Sequence, residues 1–249
     1  MAGPLFDAHF HVFDHPMPGD RGFVPEPFRV ADYRARTATL GVVGGAVVAG
    51  SMEGTDPAPL LAAARALGPG FVVVAQADPA VDEAGMAALA ARGVRGLRYN
   101  LWRGVWASPA AVAEHAGRAA PAGLHAQVYA DAAALAPVAE ALGRLPAGLV
   151  IDHLGMTEAG LPVVLDLVGA GAKVKASGFG RVELGVERAL ERIAARDSTA
   201  LMFGTDLPSV RARRPFSPDD VALVERVLSG GAAARAVLHD NAAAFYLDR

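Results

Sequence analysis

Short apolar runs alternate with longer Ala/Leu-rich segments of helical spacing eight times along the chain, and this rhythm constrains the fold more than any single motif. The runs are LFDAHFHVF, VGGAVVAG, FVVVAQAD, VRGLRYNL, LHAQVYAD, GLVIDHLG, AKVKASG and ALMFGTD. Between them lie segments such as PAPLLAAARALG, opened by prolines and closed by glycine, and VDEAGMAALAARG, with acidic residues in its first turn. Strand followed by helix, repeated, is the pattern of a parallel sheet built from βαβ units. Eight such units in 249 residues predict a (β/α)8 TIM barrel, a single domain over residues 1–249. A doubly wound open sheet would have fewer strands and a glycine-rich phosphate turn after the first, which is absent.

The chain is 53% hydrophobic and 20% charged, enough apolar material for a core of that size. Its 23 basic and 26 acidic residues nearly cancel, with no run of one sign, so nothing is built to attract a nucleic-acid backbone. The absence of cysteine excludes disulfides and thiolate metal sites. The start, MAGPLFDAHFH, has neither a basic n-region nor a continuous apolar core, so no signal peptide is expected. No charge-free apolar stretch of about 18 residues suggests a membrane span. The expectation is a cytoplasmic protein that acts on a small molecule. Oligomeric state is not written in the pattern; the final segment with Phe245 and Tyr246 would cover either the barrel or a partner subunit.

Two segments break the rhythm, HPMPGDRGFVPEPF after strand one and LPSVRARRPFSPDD after strand eight. Long loops at strand C-termini are where barrel enzymes build their sites. Strict alternation in strand one places Asp7, His9, His11 and Phe13 on one face and Ala8, Phe10 and Val12 on the other, with the histidines inward. The other strands end in a matching polar set: Arg98 and Asn100, Gln127 and Tyr129, Asp152 and His153, Lys175 and Ser177, and Asp206. Strand ends meet solvent and are often polar. So many ionisable groups closing apolar strands nevertheless imply a task or a pairing, because burying them otherwise costs free energy.

These residues form familiar motifs. DAHFH, IDHLG, KASGFGR, FGTDLPS and the closing DNAAAFY, in this order, resemble the amidohydrolase superfamily, nearest its amidohydrolase-2, 2-pyrone-4,6-dicarboxylate lactonase-like branch. The resemblance implies a distorted (β/α)8 barrel that hydrolyses a lactone or related ester or amide. It casts Asp206 as the general base, with His9, His11 and His153 around the carbonyl, and Arg98, Tyr129 and Arg181 as contacts to an anionic substrate. Gln127, Asn100 and Lys175 are further candidate substrate contacts. Three departures bear on the substrate: GTDLPS where the family often has GTDWPH, no tyrosine in the first-loop Phe23-Val24-Pro25, and the arginine group Arg211, Arg213 and Arg214. Arg103 and that group could also face the site, or the loop group could simply be solvated. Competing readings are a metal-dependent decarboxylase of the same superfamily and a non-catalytic ligand-binding barrel.

Relatives differ in metal use. His9, His11 and Asp206, with or without His153, would suit one zinc or manganese ion. The expected mid-barrel ligand is missing, however, because strand five ends in Tyr129 and strand four in Arg98 and Asn100. His125 lies four residues before Tyr129, roughly 13 Å lower at about 3.3 Å per residue, and Arg98 would repel a cation. The expectation is therefore chemistry without a cofactor, one divalent ion being the alternative.

Overall fold

The computed structural model describes residues 3–16, 22–104 and 106–248. Eight strands appear as the rhythm predicts: β1 Leu5–Phe10, β2 Val42–Val48, β3 Phe71–Gln76, β4 Val94–Asn100, β5 His125–Tyr129, β6 Leu149–Ile151, β7 Lys173–Ala176 and β8 Leu201–Phe203. They form one sheet in sequence order, each pairing parallel with the next. Beyond β8 the chain reaches β1 again, where the Asp206 amide donates to the His9 carbonyl (2.7 Å) and the His11 amide to the Leu207 carbonyl (2.8 Å). Gly204 permits this approach: a Cβ there would lie 2.7 Å from the His9 backbone nitrogen. The result is a nearly closed (β/α)8 barrel. No helix among the described residues is long and apolar enough to cross a membrane.

Helices α1 Val30–Thr37, α2 Ala58–Leu67, α3 Glu83–Ala91 and α4 Pro109–Ala119 follow β1 to β4. Side-chain oxygens of Asp82 and Ser108 cap α3 and α4, accepting from Gly85 N and Ala111 N. After β5 the chain makes a 3-10 stretch, Ala132–Val138, before α5 Ala139–Gly143; Pro137 lies within that stretch, where a regular helix would lose a hydrogen bond. Then come α6 Leu161–Gly169, α7 Val186–Arg196, α8 Asp219–Val227, α9 Gly231–Arg235 and α10 Asn241–Leu247.

Strand one departs from strict alternation. Between Asp7 and Phe10 it advances three residues while β2 advances two, Gly45 to Val47, so β1 carries a bulge. Before the bulge Phe6 and Ala8 join the barrel interior, and Asp7 faces outward to the Tyr33 hydroxyl of α1 (3.0 Å). After it His9 turns inward, and Phe10 stacks on Tyr33 from outside at 3.9 Å between ring centroids. Asp7 and His9 thus do not share a face as period two requires.

The lower barrel is closed by α10. Phe245 and Tyr246 pack among Phe6, Ala8, Val48, Val150 and Met202, and Tyr246 stacks on Phe6 at 5.9 Å. This settles the C-terminal segment on the barrel itself. His125 belongs to the same floor, 5.1 Å from the Phe245 ring, which is the depth its register implied. In the loop after β1, Phe13 and Phe28 pair as an antiparallel bridge; residues 17–21 of that loop lie outside the described residues.

Candidate active site

Four side chains from three strand ends meet at the top of the barrel. Nε2 of His9, His11 and His153 lie 3.8, 3.8 and 3.9 Å from one atom, Oδ1 of Asp206. All four residues are buried. Those separations exceed a hydrogen bond, and among the described residues neither Asp206 Oδ1 nor His9 Nε2 has a hydrogen-bond partner. The other carboxylate oxygen, Oδ2, is occupied: Arg181 donates to it from Nε (2.8 Å) and from Nη2. Burial pushes the Asp206 carboxyl up, but Arg181 and His153 outweigh it and hold it well below the ordinary carboxylate range.

The backbone here is strained. Asp206 sits at φ +57°, His153 at +50°, Leu154 at +54° and Met156 at +75°. Non-glycine residues in this region cost on the order of 1 kcal/mol or more each, and such strain gathers at functional sites. Asp7 braces the Asp206 turn from below: Thr205 donates its amide (2.8 Å) and its hydroxyl (2.7 Å) to the Asp7 carboxylate. Burial pushes the Asp7 carboxyl up to about 6, against these donors.

A backbone carbonyl sets the His11 tautomer. His11 Nδ1 lies 2.7 Å from the Val48 carbonyl, which can only accept, so that nitrogen carries the proton and neutral His11 offers Nε2 as a lone pair. His9 Nδ1 lies 3.3 Å from Asp152 Oδ1 and 3.4 Å from the Gln127 amide nitrogen. Burial lowers His9 well below the ordinary histidine value, against the pull of Asp152, and lowers His153 to about 4. Asp152 receives Arg98 Nε on its second oxygen at 3.0 Å. Burial pushes Asp152 up, yet His9 and Arg98 hold it well below the ordinary carboxylate range. The Arg98 charge is therefore compensated, and the expected repulsion between it and a cation largely disappears. Asp152 was seen in the sequence only as a strand end; its neighbour His153 in IDHLG was the available signal.

Above the cluster is a cavity of about 40 Å³, lined among others by Arg98, Asn100, Arg103, Tyr129, Arg181 and Arg211. Asn100 orders the β4 loop by accepting from the Arg103 amide (3.0 Å). Of the loop arginines, Arg211 reaches the cavity and lies 4.5 Å from the Phe23 ring, whereas Arg213 pairs with Glu183 and Arg214 with Asp220 outside it. Two expected substrate contacts are placed elsewhere. Gln127 lies beside His9 Nδ1 at 3.4 Å and does not line the cavity. Lys175 points down, donating to the Ala8 carbonyl and the Tyr246 hydroxyl (2.7 Å), and is fully buried in the floor. The β2 end, with Gly50, Ser51 and Met52, lines the cavity without having been singled out in the sequence; Glu53, next in the chain, accepts from the Gly50 amide (2.6 Å).

A parallel barrel with HxH on its first strand, a histidine after its sixth and an aspartate after its eighth defines the amidohydrolase class. The chain matches the amidohydrolase family (Amidohydro_2) over residues 6–247 and belongs to it. It is 29% identical over 155 residues to a 2-pyrone-4,6-dicarboxylate hydrolase of Comamonas testosteroni, a match covering 60% of this chain and 51% of that relative. The chain thus spans about half the length of the curated relative it matches. A putative 2-pyrone-4,6-dicarboxylic acid hydrolase from Pseudomonas putida superposes with a TM-score of 0.77 at 25% identity, covering 97% of both chains. A probable enzyme of the same description from Acinetobacter baumannii has a TM-score of 0.83 at 18% identity, covering 97% of this chain and 98% of its own, a likeness of fold.

Proposed function

We propose that the protein hydrolyses a carboxylated lactone, or a related ester or amide, by attack of water on the carbonyl carbon. The observation that carries this reading is Asp206 Oδ1, a buried carboxylate oxygen with no hydrogen bond among the described residues, facing three imidazoles beneath an arginine-rimmed cavity. Asp206 takes a proton from water as the water oxygen bonds to the carbonyl carbon. The ring C–O bond then breaks, and the proton passes to the leaving oxygen to give a hydroxy acid. The lone pair on His11 Nε2 suits a second acceptor role toward that water. Developing negative charge on the carbonyl oxygen faces the guanidinium groups of Arg98 and Arg181. Arginine forks suit a substrate carboxylate for the same reason.

The donor set also fits one divalent ion: His9, His11 and Asp206 bring ligand atoms within 4.8 Å of one another, with His153 adjacent. Held there, such an ion would supply a Lewis acid and a more acidic water. Charge balance favours the reading without it. Arg98 with Asp152 and Arg181 with Asp206 already cancel in a buried site, and a divalent ion adds two uncompensated charges.

A panel of carboxylated and neutral lactones, run with and without chelator, tests the reading. Carboxylated lactones should be opened at a rate that chelation leaves unchanged and that Asp206→Asn abolishes. Turnover that disappears with near-stoichiometric zinc or manganese would replace the metal-free route, and released CO2 would favour a decarboxylase.

A further inference from the structure

His9 lies between two carboxylates and has one proton to give. Burial holds it neutral, and a neutral imidazole carries its N–H on one nitrogen only. Nδ1 lies 3.3 Å from Asp152 Oδ1, and Nε2 lies 3.8 Å from Asp206 Oδ1. Among the described residues neither carboxylate oxygen has a hydrogen bond, nor does His9 Nε2. The nitrogen that carries the proton therefore settles which carboxylate is left without a donor. Asp206 Oδ1 is the oxygen that takes the proton of water in the hydrolytic reading, so the placement matters to the chemistry.

The surroundings put the proton on Nδ1. Asp152 is the nearer carboxylate. It is also the less saturated one: its other oxygen receives one N–H, from Arg98 (3.0 Å), whereas Asp206 Oδ2 receives two from Arg181. Asp152 is held in place as well. Its amide donates to the Val128 carbonyl (2.9 Å), and Arg98 is tied in turn to the Ala49 carbonyl (2.9 Å). The competitor is Gln127, whose amide nitrogen lies 3.4 Å from Nδ1 and would donate to a lone pair there. That arrangement leaves a buried carboxylate oxygen facing a lone pair, and an unmade bond to a buried charge costs more than one to a neutral amide. It also leaves Gln127 Oε1 without a partner. Half a turn of the amide brings Oε1 to Nδ1 instead, and Asp152 and Gln127 then both accept from the same N–H.

We propose that Asp152 is a positioning residue that holds the His9 proton on Nδ1, so that His9 does not donate to Asp206 and the base oxygen stays free for water. The Val48 carbonyl does the same for His11, 2.7 Å from its Nδ1. Asp206 Oδ1 is then unpaired because the protons of its neighbours are turned away from it. The consequence for turnover rests on the hydrolytic reading above; the place of the proton does not. Where a buried aspartate fixes an imidazole in this way, Asp→Asn keeps the shape and inverts the tautomer. In Asp152→Asn the proton moves to Nε2, and His9 caps the base.

The test reads the proton directly. Proton–nitrogen correlation spectra of protein made with isotopically labelled histidine show which ring nitrogen carries it, with the His9 signals assigned by their loss in His9→Gln. Spectra are taken with chelator present, and folding is checked by a cooperative thermal melt. The wild type should carry the His9 proton on Nδ1, and Gln127→Leu should keep it there. Asp152→Asn should move it to Nε2 and lower kcat for a carboxylated lactone by about 10–100-fold. A wild-type proton on Nε2, an unmoved proton in Asp152→Asn, or a proton that moves in Gln127→Leu overturns the proposal. The wild-type and Gln127→Leu spectra decide even if Asp152→Asn fails to fold. Undiminished lactone turnover in Asp206→Asn would instead remove the hydrolytic reading, and the spectra would still report whether Asp152 holds His9.

Discussion

The two ends of the barrel interior both bury ionisable groups, and they treat them in opposite ways. At the floor, Lys175 is held by the Ala8 carbonyl and the Tyr246 hydroxyl and lies 5.0 Å from the Tyr246 ring. At the top, Asp206 keeps one oxygen fully paired and leaves the other, among the described residues, with no hydrogen bond before three imidazoles. Burial is nearly equal at the two ends, so burial does not separate structural from chemical groups. What separates them is the unpaired acceptor. The floor completes the coordination of its charge and seals it with α10, whereas the top withholds a partner and opens onto a cavity.

Paired substitutions should pull the two ends apart. Asp206→Asn should lower kcat for the carboxylated lactone by about 10²–10⁴-fold, the usual contribution of a general base. Lys175→Met should change it by less than about threefold, because its ammonium touches no cavity residue. Steady-state kinetics on the two variants check this. A comparable loss in Lys175→Met would mean that the floor takes part in the chemistry.

Most of this contrast was hidden in the sequence. The strand rhythm was legible because eight parallel strands must be apolar on both faces, and His9, His11, His153 and Asp206 were legible because polar groups interrupt those runs at their ends. Lys175 looked the same by that criterion. A residue number fixes the register of a Cα along the strand, but a long flexible stem can send its charge up or down, and Lys175 goes down to Tyr246, 71 residues away in sequence. The bulge in β1 was also illegible: strict alternation gave the right side for His9 and the wrong company for Asp7, because one extra residue changes the phase between them. Asp152 gave no signal beyond its place beside His153, since its role depends on Arg98 arriving from β4.

The floor carries a pH signature of its own. Burial pushes the Lys175 ammonium down from 10.5 to about 7. Between those values the unfolded chain binds a proton that the folded chain does not, so stability from this group rises with pH across the window from about 7 to about 10. Below about 7 both states are protonated and the full cost of burying the charge is felt. The difference in Tm between the wild type and Lys175→Met should therefore tilt toward the wild type as pH rises from 7 to 10. A flat difference would mean that Lys175 stays charged on folding.

The smallest expected effect isolates a single contact at that floor. Tyr246→Phe removes the hydroxyl that accepts from Lys175 and keeps the ring stacked on Phe6. Losing one buried hydrogen bond costs about 1 kcal/mol, or a few degrees in Tm for a chain of this size. The ammonium keeps the Ala8 carbonyl, so the cost should stay near that of one bond and kcat should not move. The variant should also lower the apparent pKa of Lys175 further, because a partner of its charged form is gone. That would steepen the pH dependence at its low end in thermal melts between pH 6 and 8. A fall in kcat without a fall in Tm would run the other way, connecting the plugged end of the barrel to the open one and erasing the distinction between them.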